Sequence, residues 1–301
     1  MKSLTMKHLR YFEQLARHGH FGRAAEACSI SQPALSVQMK ELEALIGAPL
    51  IERNARQIRL SHLGEILATR ARDILRAVDE IEDLTRIRDG ALAGRLRIGV
   101  IPTIAPYLLP GLIQHLNGQF PHLDFWPREA VTRTLLNDLI DGQMDVAIVA
   151  LPVSEPTLHE EPLFDEEFVL VRPLSDAENP VPTPDTLRAM RLLLLEEGHC
   201  FRDQALSFCE FGAKPPRDLM EGSSLTTLVQ MVGAGIGVTL IPEMALPVET
   251  RSAQVSVVRL SQPRPTRKVG MIWRKTTPLA AQLSELAEHM RAYCTATGRL
   301  P

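Results

Sequence analysis

The sequence predicts an all-helical N-terminal domain, one long helix and a larger α/β domain, in that order along the chain. Three observations predict this organisation. Apolar residues recur at helical spacing through the first 60 residues, an apolar repeat of seven residues follows, and strands then alternate with helices to the C-terminus. A length of 301 residues is also typical of two domains.

The first 60 residues are predicted to contain three short helices. The first carries an apolar stripe through Phe12 and ends at Gly19, because glycine often follows the last turn of a helix. Residues 21–27 form the second. Ser31 is a good N-cap for the third, which ends at Gly47.

The third helix is a candidate DNA-reading element, with a basic hairpin after it. Its predicted buried stripe leaves five residues on the opposite face, namely Gln32, Pro33, Ser36, Val37 and Lys40. Small and amide side chains there can reach base edges in the major groove, and Lys40 can neutralise a phosphate. In the hairpin, Arg53 is the candidate for a contact with phosphate or the minor groove. An ordinary polar helix face is the alternative.

The distribution of charge favours a nucleic-acid partner, although the net charge of −3 does not. Residues 1–60 contain 9 Lys and Arg against 5 Asp and Glu, whereas the remaining 241 residues contain 24 against 31.

The N-terminus has no apolar signal core, and the most apolar stretch, residues 232–242, is far shorter than the ~20 residues of a membrane span. We therefore expect a cytoplasmic protein without a membrane partner.

One long helix is predicted over residues 62–88. An apolar seam with a seven-residue repeat runs along it, interrupted at Arg70 and formed by Leu63, Leu67, Ile74, Ala77, Ile81 and Leu84. About three heptads are enough for a dimerising coiled coil, and a single helix packed on its own domain is the alternative. Residues 89–94 are predicted to be a hinge.

Strands interleaved with helices follow the hinge and predict an α/β domain with a largely parallel sheet. The predicted strands are residues 96–101, 123–126, 146–150, 168–172, 192–196, 237–241, 255–260 and 269–273. The predicted helices are residues 107–120, 134–140 and 279–293.

Five short segments near the N-terminus form a specific pattern. They are Ala24-Ala25, Ser31-Gln32-Pro33-Ala34-Leu35-Ser36, Leu42-Glu43 with Gly47, Leu50-Ile51-Glu52-Arg53 and Leu60-Ser61-His62-Leu63-Gly64. This pattern resembles the LysR-type transcription regulators. The resemblance implies an N-terminal all-α winged helix-turn-helix, a long linker helix, and an α/β effector domain that is two-lobed and type II periplasmic-binding-protein-like.

The implied domain boundaries are residues 1–61 for the winged helix-turn-helix, 62–89 for the linker and 90–301 for the regulatory domain. Within the regulatory domain, lobe I covers about 90–164 and 268–301, and lobe II about 165–267. The resemblance further implies double-stranded DNA and RNA polymerase as partners. It also implies a homodimer through the linker helix and a homotetramer on DNA.

The chain contains four cysteines, which are too few for a structural disulfide framework and are expected to be reduced in a cytosolic protein. Cys28 lies among the DNA-binding helices and Cys294 near the C-terminus, and both are interpreted as incidental. Cys200 and Cys209 lie close together in sequence and are the candidates for chemistry.

Cys200 is predicted to lie at the N-terminus of a helix. Residues 192–195 form a buried strand, and Gly198 turns the chain after it. The helix dipole at this position favours a thiolate, and His199 and Arg202 would add positive charge. Such a thiolate can attack a peroxide and become a sulfenic acid, which condenses with a second thiol.

The nine-residue spacing between Cys200 and Cys209 predicts a conformational switch. In a continuous helix they lie ~13.5 Å apart along the axis, whereas a disulfide needs α-carbons within about 7 Å. The bond therefore requires residues 201–208 to unravel. Two buried cysteines acting as small hydrophobic residues are the alternative. A metal site with His199 and both cysteines is also possible, but the spacing fits no common zinc pattern.

The residues around these cysteines match a narrower group. They are His199-Cys200, Arg202-Asp203-Gln204-Ala205 and Phe208-Cys209, supported by Ile101-Pro102-Thr103 and Pro162-Leu163-Phe164-Asp165-Glu166. They closely resemble the OxyR-type hydrogen peroxide sensors. The resemblance implies that Cys200 is the peroxidatic cysteine and Cys209 the resolving one.

By the same resemblance, Thr103 and Thr132 line a peroxide pocket, and His199, Arg202, Asp203 and Arg267 organise Cys200. A cellular thiol reductant resets the switch, and no cofactor or metal is implied.

Two other functions remain open on the residues alone. The chain is a LysR-type regulator of a small metabolite held between its lobes, or it is a thiol peroxidase. A peroxidase has no need of a DNA-binding domain, so we do not expect an enzyme.

Overall fold

The computed structural model divides the chain into two units, residues 1–85 and residues 86–301. The residues that it describes are 3–52, 58–84, 87–88, 91–208 and 220–297. In that part of the chain, no helix is long and apolar enough to cross a membrane.

The first unit contains the predicted helices and hairpin. Its elements are α1 (Met6–His18), α2 (Phe21–Ala27), α3 (Gln32–Ile46), β1 (Ile51–Glu52), β2 (Arg59–Leu60) and α4 (His62–Leu84). The Ser31 side chain accepts a hydrogen bond from the Ala34 backbone N–H at the start of α3. Gly47 ends that helix in the left-handed region at a φ of 79°, which glycine adopts without a steric cost. The predicted bounds of the three short helices are confirmed.

Helix α4 has two different faces. Ala68 and Ala71 are buried, and Ala68 is part of the first unit's hydrophobic core, whereas Ile66, Ile74 and Ile81 are 48%, 44% and 64% exposed. The predicted extent of this helix is wrong at its C-terminal end, since α4 ends at Leu84. The heptad pattern in the sequence does not indicate the point at which the helix ends and two short strands pair through their backbones instead.

The second unit begins with that strand pair and continues as an α/β domain. Its strands are β3 (Ile87–Arg88), β4 (Ala91–Leu92), β5 (Gly94–Val100), β6 (Leu123–Glu129), β7 (Val146–Leu151), β8 (Leu158–Pro173), β9 (Leu193–Leu195), β10 (Met220–Gly222), β11 (Thr239–Pro242), β12 (Val255–Arg259) and β13 (Thr266–Arg274). Its helices are α5 (Ala105–Gln119), α6 (Thr132–Ile140), α7 (Pro184–Ala189), α8 (Cys200–Phe208), α9 (Leu225–Gly233), α10 (Leu246–Glu249) and α11 (Ala280–Ala296).

The main sheet is mixed in direction. Its strand order is β11-β8-β13-β7-β5-β6, and β12 also pairs with β8. Strand β5 is parallel to β6 and β7, but β13 is antiparallel to both β7 and β8. In the main sheet, the prediction of largely parallel strands is therefore wrong outside β5, β6 and β7, whereas β9 and β10 pair in parallel in a separate two-stranded sheet. The alternation of strands and helices does not reveal that the chain leaves the first part of the domain along the long strand β8 and returns to it along β13.

Two hydrophobic cores lie within this unit. Core I is formed by buried residues in 92–164 and 269–294. Core II is formed by buried residues in 168–260, together with Tyr107. Strand β8 starts in core I and ends in core II, so it connects the two.

Candidate functional site

The N-terminal ends of three helices meet at a small pocket in the second unit. It is narrow, with about 160 Å³ of empty space that includes space open to solvent, and it is lined by Ile101, Pro102, Thr103, Val131, Thr132, His199, Cys200 and Phe201. These residues precede or begin α5, α6 and α8. Because helix N-termini present unpaired backbone N–H groups and a positive dipole end, the pocket favours negative charge.

Cys200 is the first residue of α8 and carries a free, half-buried thiol. The chain reaches it through Gly198, whose φ of 99° lies in the left-handed region that favours glycine. The predicted placement of Cys200 at a helix N-terminus is confirmed.

Helix α8 is continuous from Cys200 to Phe208, which corresponds to about 12 Å along its axis. Cys209 lies outside the described residues. Among the described residues, no group of His, Cys, Asp and Glu side chains is placed to hold a metal ion.

His199 lines the pocket beside Cys200. Burial lowers its pKa, and the carboxylates of Glu196 and Glu129 offset only part of that effect. The ring is therefore neutral near pH 7, because its pKa lies below the ordinary 6.5. A neutral His199 ring adds no positive charge at the thiol and presents a hydrogen-bonding group there instead.

Arg202 and Asp203 do not line the pocket. The Arg202 guanidinium is buried and donates to the Leu195 carbonyl oxygen and the Glu221 carboxylate. Asp203 lies exposed on another side of α8. Successive helix positions differ by about 100° in direction, so Arg202, two positions after Cys200, faces away from it.

Thr103 and Arg267 are joined by two hydrogen bonds. Arg267 donates from Nη1 to Thr103 Oγ1 at 2.7 Å and from Nη2 to the Thr103 carbonyl oxygen at 3.0 Å. Arg267 also donates from Nε to Glu166 Oε2 at 2.7 Å. Arg267 thus acts on the pocket through Thr103. Glu166 was missed by the sequence reasoning, although it stands in a run of three acidic residues.

Thr132 is the first residue of α6, and its Oγ1 is buried. This atom has no hydrogen-bond partner among the residues that the structure describes. Buried polar atoms are rarely left unpaired, so the hydroxyl is available to a polar molecule in the pocket.

The DNA-reading candidates lie on α3 in the first unit. Gln32, Pro33 and Lys40 are exposed, and Ser36 is half-buried. Arg53 lies outside the described residues. The exposed face agrees with the one that the sequence predicts.

Two family models match the chain and together cover most of it. Residues 6–65 match the bacterial regulatory helix-turn-helix protein of the lysR family, and residues 89–295 match the LysR substrate binding domain. The chain belongs to the LysR family of transcription regulators.

Relatives place this LysR-family chain in a narrower group. It is 41% identical to a probable hydrogen peroxide-inducible genes activator from Streptomyces viridosporus, covering 95% of this chain and 93% of the relative. It is 40% identical to the DNA-binding transcriptional dual regulator OxyR of Escherichia coli K12, covering 96% and 95%. Within the LysR family, the chain is OxyR-like.

Solved structures agree with this placement of the LysR-family chain. A full-length OxyR from Pseudomonas aeruginosa with a cysteine-to-aspartate substitution has a TM-score of 0.74 and 36% identity, covering 97% of this chain and 96% of that one. A Corynebacterium glutamicum OxyR with a cysteine-to-serine substitution and H2O2 bound has a TM-score of 0.65 and 34% identity, covering 100% and 97%. The predicted α/β effector domain with an N-terminal helix-turn-helix is thereby confirmed.

The His199 environment of this LysR-family regulator predicts a pH dependence. As the pH falls below 6.5, the unfolded chain takes up the proton first, because the folded chain holds the pKa of His199 lower. The stability contributed by neutral His199 is therefore complete above pH 6.5 and is lost as the pH falls through its folded pKa. In Glu196→Gln we expect that pKa to fall further, as measured by NMR titration of the imidazole ring. Glu288→Gln is the control and should leave it unchanged. An unaltered titration in Glu196→Gln contradicts the prediction.

Proposed function

We propose that this LysR-family regulator senses hydrogen peroxide through Cys200 and controls antioxidant genes through reversible formation of a Cys200–Cys209 disulfide. The observation that carries the proposal is a free, half-buried thiol at a helix N-terminus, inside a small pocket that favours negative charge. Two hydroxyl groups, of Thr103 and Thr132, line the same pocket. They provide hydrogen-bonding groups for a small polar molecule such as H2O2.

The proposed reaction has two steps. The Cys200 thiolate attacks one oxygen of H2O2 and the O–O bond breaks, which leaves a sulfenic acid and a hydroxide that takes up a proton to become water. The Cys209 thiol then attacks the sulfenic sulfur, which forms the disulfide and releases a second water. A cellular dithiol reductant returns both cysteines to thiols and is itself oxidised.

The length of α8 supports a conformational consequence. The helix carries Cys200 at its start and ends at Phe208, about 12 Å away along its axis. A disulfide needs α-carbons within about 7 Å. Closing the bond therefore requires α8 to unwind, and this change is the signal that we propose reaches the DNA-binding unit.

The relatives support the same ligand. The Streptomyces viridosporus relative is named a probable hydrogen peroxide-inducible genes activator, and the Escherichia coli relative is named OxyR. The related Corynebacterium glutamicum structure holds H2O2. A metabolite regulator is less well supported, because the pocket at Cys200 is far smaller than the ~300–1,000 Å³ that is typical of small-molecule sites.

We also propose how the protein assembles on DNA. The exposed apolar face of α4, with Ile66, Ile74 and Ile81, pairs with the same face of a second copy. Helix α3 then enters the major groove with Gln32 and Lys40 on its exposed side. A homotetramer on double-stranded DNA and a contact with RNA polymerase complete the proposed assembly, and cores I and II correspond to the proposed lobes I and II.

Disulfide mapping tests the sensor proposal directly. We expect the full chain, treated with H2O2 and digested under non-reducing conditions, to contain a peptide pair joined through Cys200 and Cys209. The untreated chain should lack it, and a dithiol should remove it. If mass spectrometry finds both thiols unmodified after H2O2 treatment, the proposal is wrong and a metabolite becomes the better candidate ligand.

A further inference from the structure

Glu166 and Arg267 lie directly opposite each other on β8 and β13, the two strands at the boundary between core I and core II. Both side chains are buried, with exposed fractions of 4% and 0%. A buried guanidinium is stable only when it is paired, so the carboxylate of Glu166 is what allows Arg267 to occupy this position.

The pair connects the two cores. Glu166 Oε1 accepts a hydrogen bond of 2.9 Å from the Met244 backbone N–H, and residue 244 packs against both cores. On the opposite side, Arg267 donates to the hydroxyl and the carbonyl oxygen of Thr103. Glu166 therefore anchors one end of a chain of charged hydrogen bonds whose other end is in the pocket.

This chain determines how Thr103 can act. Its Oγ1 accepts a hydrogen bond from a cation, so its own proton is directed to another acceptor. Thr103 lines the pocket together with Cys200. The Thr103 hydroxyl is thereby set as a donor toward a negatively charged atom in the pocket.

We propose that Glu166 is a positioning residue for the reaction of Cys200 with peroxide, an inference that rests on the proposed function. During attack by the thiolate, negative charge moves from sulfur to the departing oxygen, which leaves as hydroxide and is protonated to water. The Thr103 O–H donates to that oxygen, Arg267 holds Thr103 in place, and Glu166 holds Arg267. Donors aimed at developing charge are among the strongest contributions to catalysis.

The experiment is a cycle of Glu166→Gln and Thr103→Val in the full chain. The measurement is the second-order rate constant of Cys200 oxidation by H2O2 in stopped flow. An amide at 166 presents an N–H₂ group where a carboxylate oxygen now accepts, so we expect a fall of about 10- to 100-fold. Thr103→Val should slow oxidation at least as much, and adding Glu166→Gln to it should have no further effect. Glu167→Gln, at the adjacent residue that pairs with Arg259 and Arg264, is the matched control and should react like the unmodified chain.

If Glu166 has a purely structural role, Glu166→Gln should slow oxidation by the same factor in the unmodified chain and in Thr103→Val. That result overturns the inference. An unchanged oxidation rate in Glu166→Gln also overturns it. Alkylation of Cys200 by iodoacetamide needs no peroxide donor, so its rate should change little. If Glu166→Gln does not fold, the double variant Glu166→Leu with Arg267→Met removes both charges and should react as slowly as Thr103→Val. If Cys200 of the unmodified chain does not react with H2O2, the proposed function is wrong. This result differs from the results that contradict the role of Glu166, so the two proposals can fail separately.

Discussion

In the Cys200→Ser variant, the change that H2O2 produces in the DNA footprint is expected to disappear completely. Serine has nearly the shape of cysteine, so α8 and the pocket around it should remain intact. Its hydroxyl cannot form a sulfenic acid or a disulfide, because those steps require a thiolate. DNase I footprinting of the full chain on its operator, before and after H2O2, measures this loss.

Cys28→Ser is the matched control for that experiment. Burial raises the pKa of the Cys28 thiol, and the Glu13 carboxylate raises it further, so little thiolate forms there. Its replacement should leave the peroxide-dependent change intact. If the footprint of Cys200→Ser still shifts with H2O2, another residue is the sensor.

The Arg267→Met variant is expected to lose about 3–5 kcal/mol in the free energy of unfolding of the second unit. The reason is that the substitution leaves the buried Glu166 carboxylate without its cation. Both tryptophans of the chain, Trp126 and Trp273, lie in this unit, so fluorescence during urea unfolding reports it selectively.

Arg259→Met is the control for stability. Its guanidinium is half exposed and pairs with Glu167 and Glu243 at the surface, where ion pairs contribute less than about 1 kcal/mol. Adding Glu166→Leu to Arg267→Met should recover most of the lost stability, because it removes the uncompensated charge. A loss for Arg267→Met no larger than that for Arg259→Met contradicts the prediction.

Local signals in the sequence account for the first unit. Ser31 and Gly47 delimit α3 because capping and left-handed backbone conformation are properties of single residues and their immediate neighbours. The same reasoning places Cys200 at a helix start after Gly198. The end of α4 was not predictable in this way, since the pairing of Ile87 with Leu92 competes with a helical pattern that continues in the sequence.

The acidic run at residues 165–167 shows where sequence reasoning stops. The three carboxylates look alike in the sequence, yet only the middle one faces Arg267 inside the domain, while Glu167 pairs with Arg259 and Arg264. Neighbouring side chains on a strand point to opposite faces, and which face is inward depends on the partner strand. That partner, β13, lies about 100 residues away along the chain.

The sequence by itself determined the order of domains, the helix-turn-helix, the LysR-family resemblance and the position of Cys200 at a helix N-terminus. These depend on composition, spacing and caps, which act over a few residues. Only the tertiary structure decided the mixed direction of the sheet, the burial that lowers the pKa of His199, the turning of Arg202 away from the pocket, and the chain from Glu166 through Arg267 to Thr103. Burial and long-range strand pairing govern those features, and neither can be read from one segment alone.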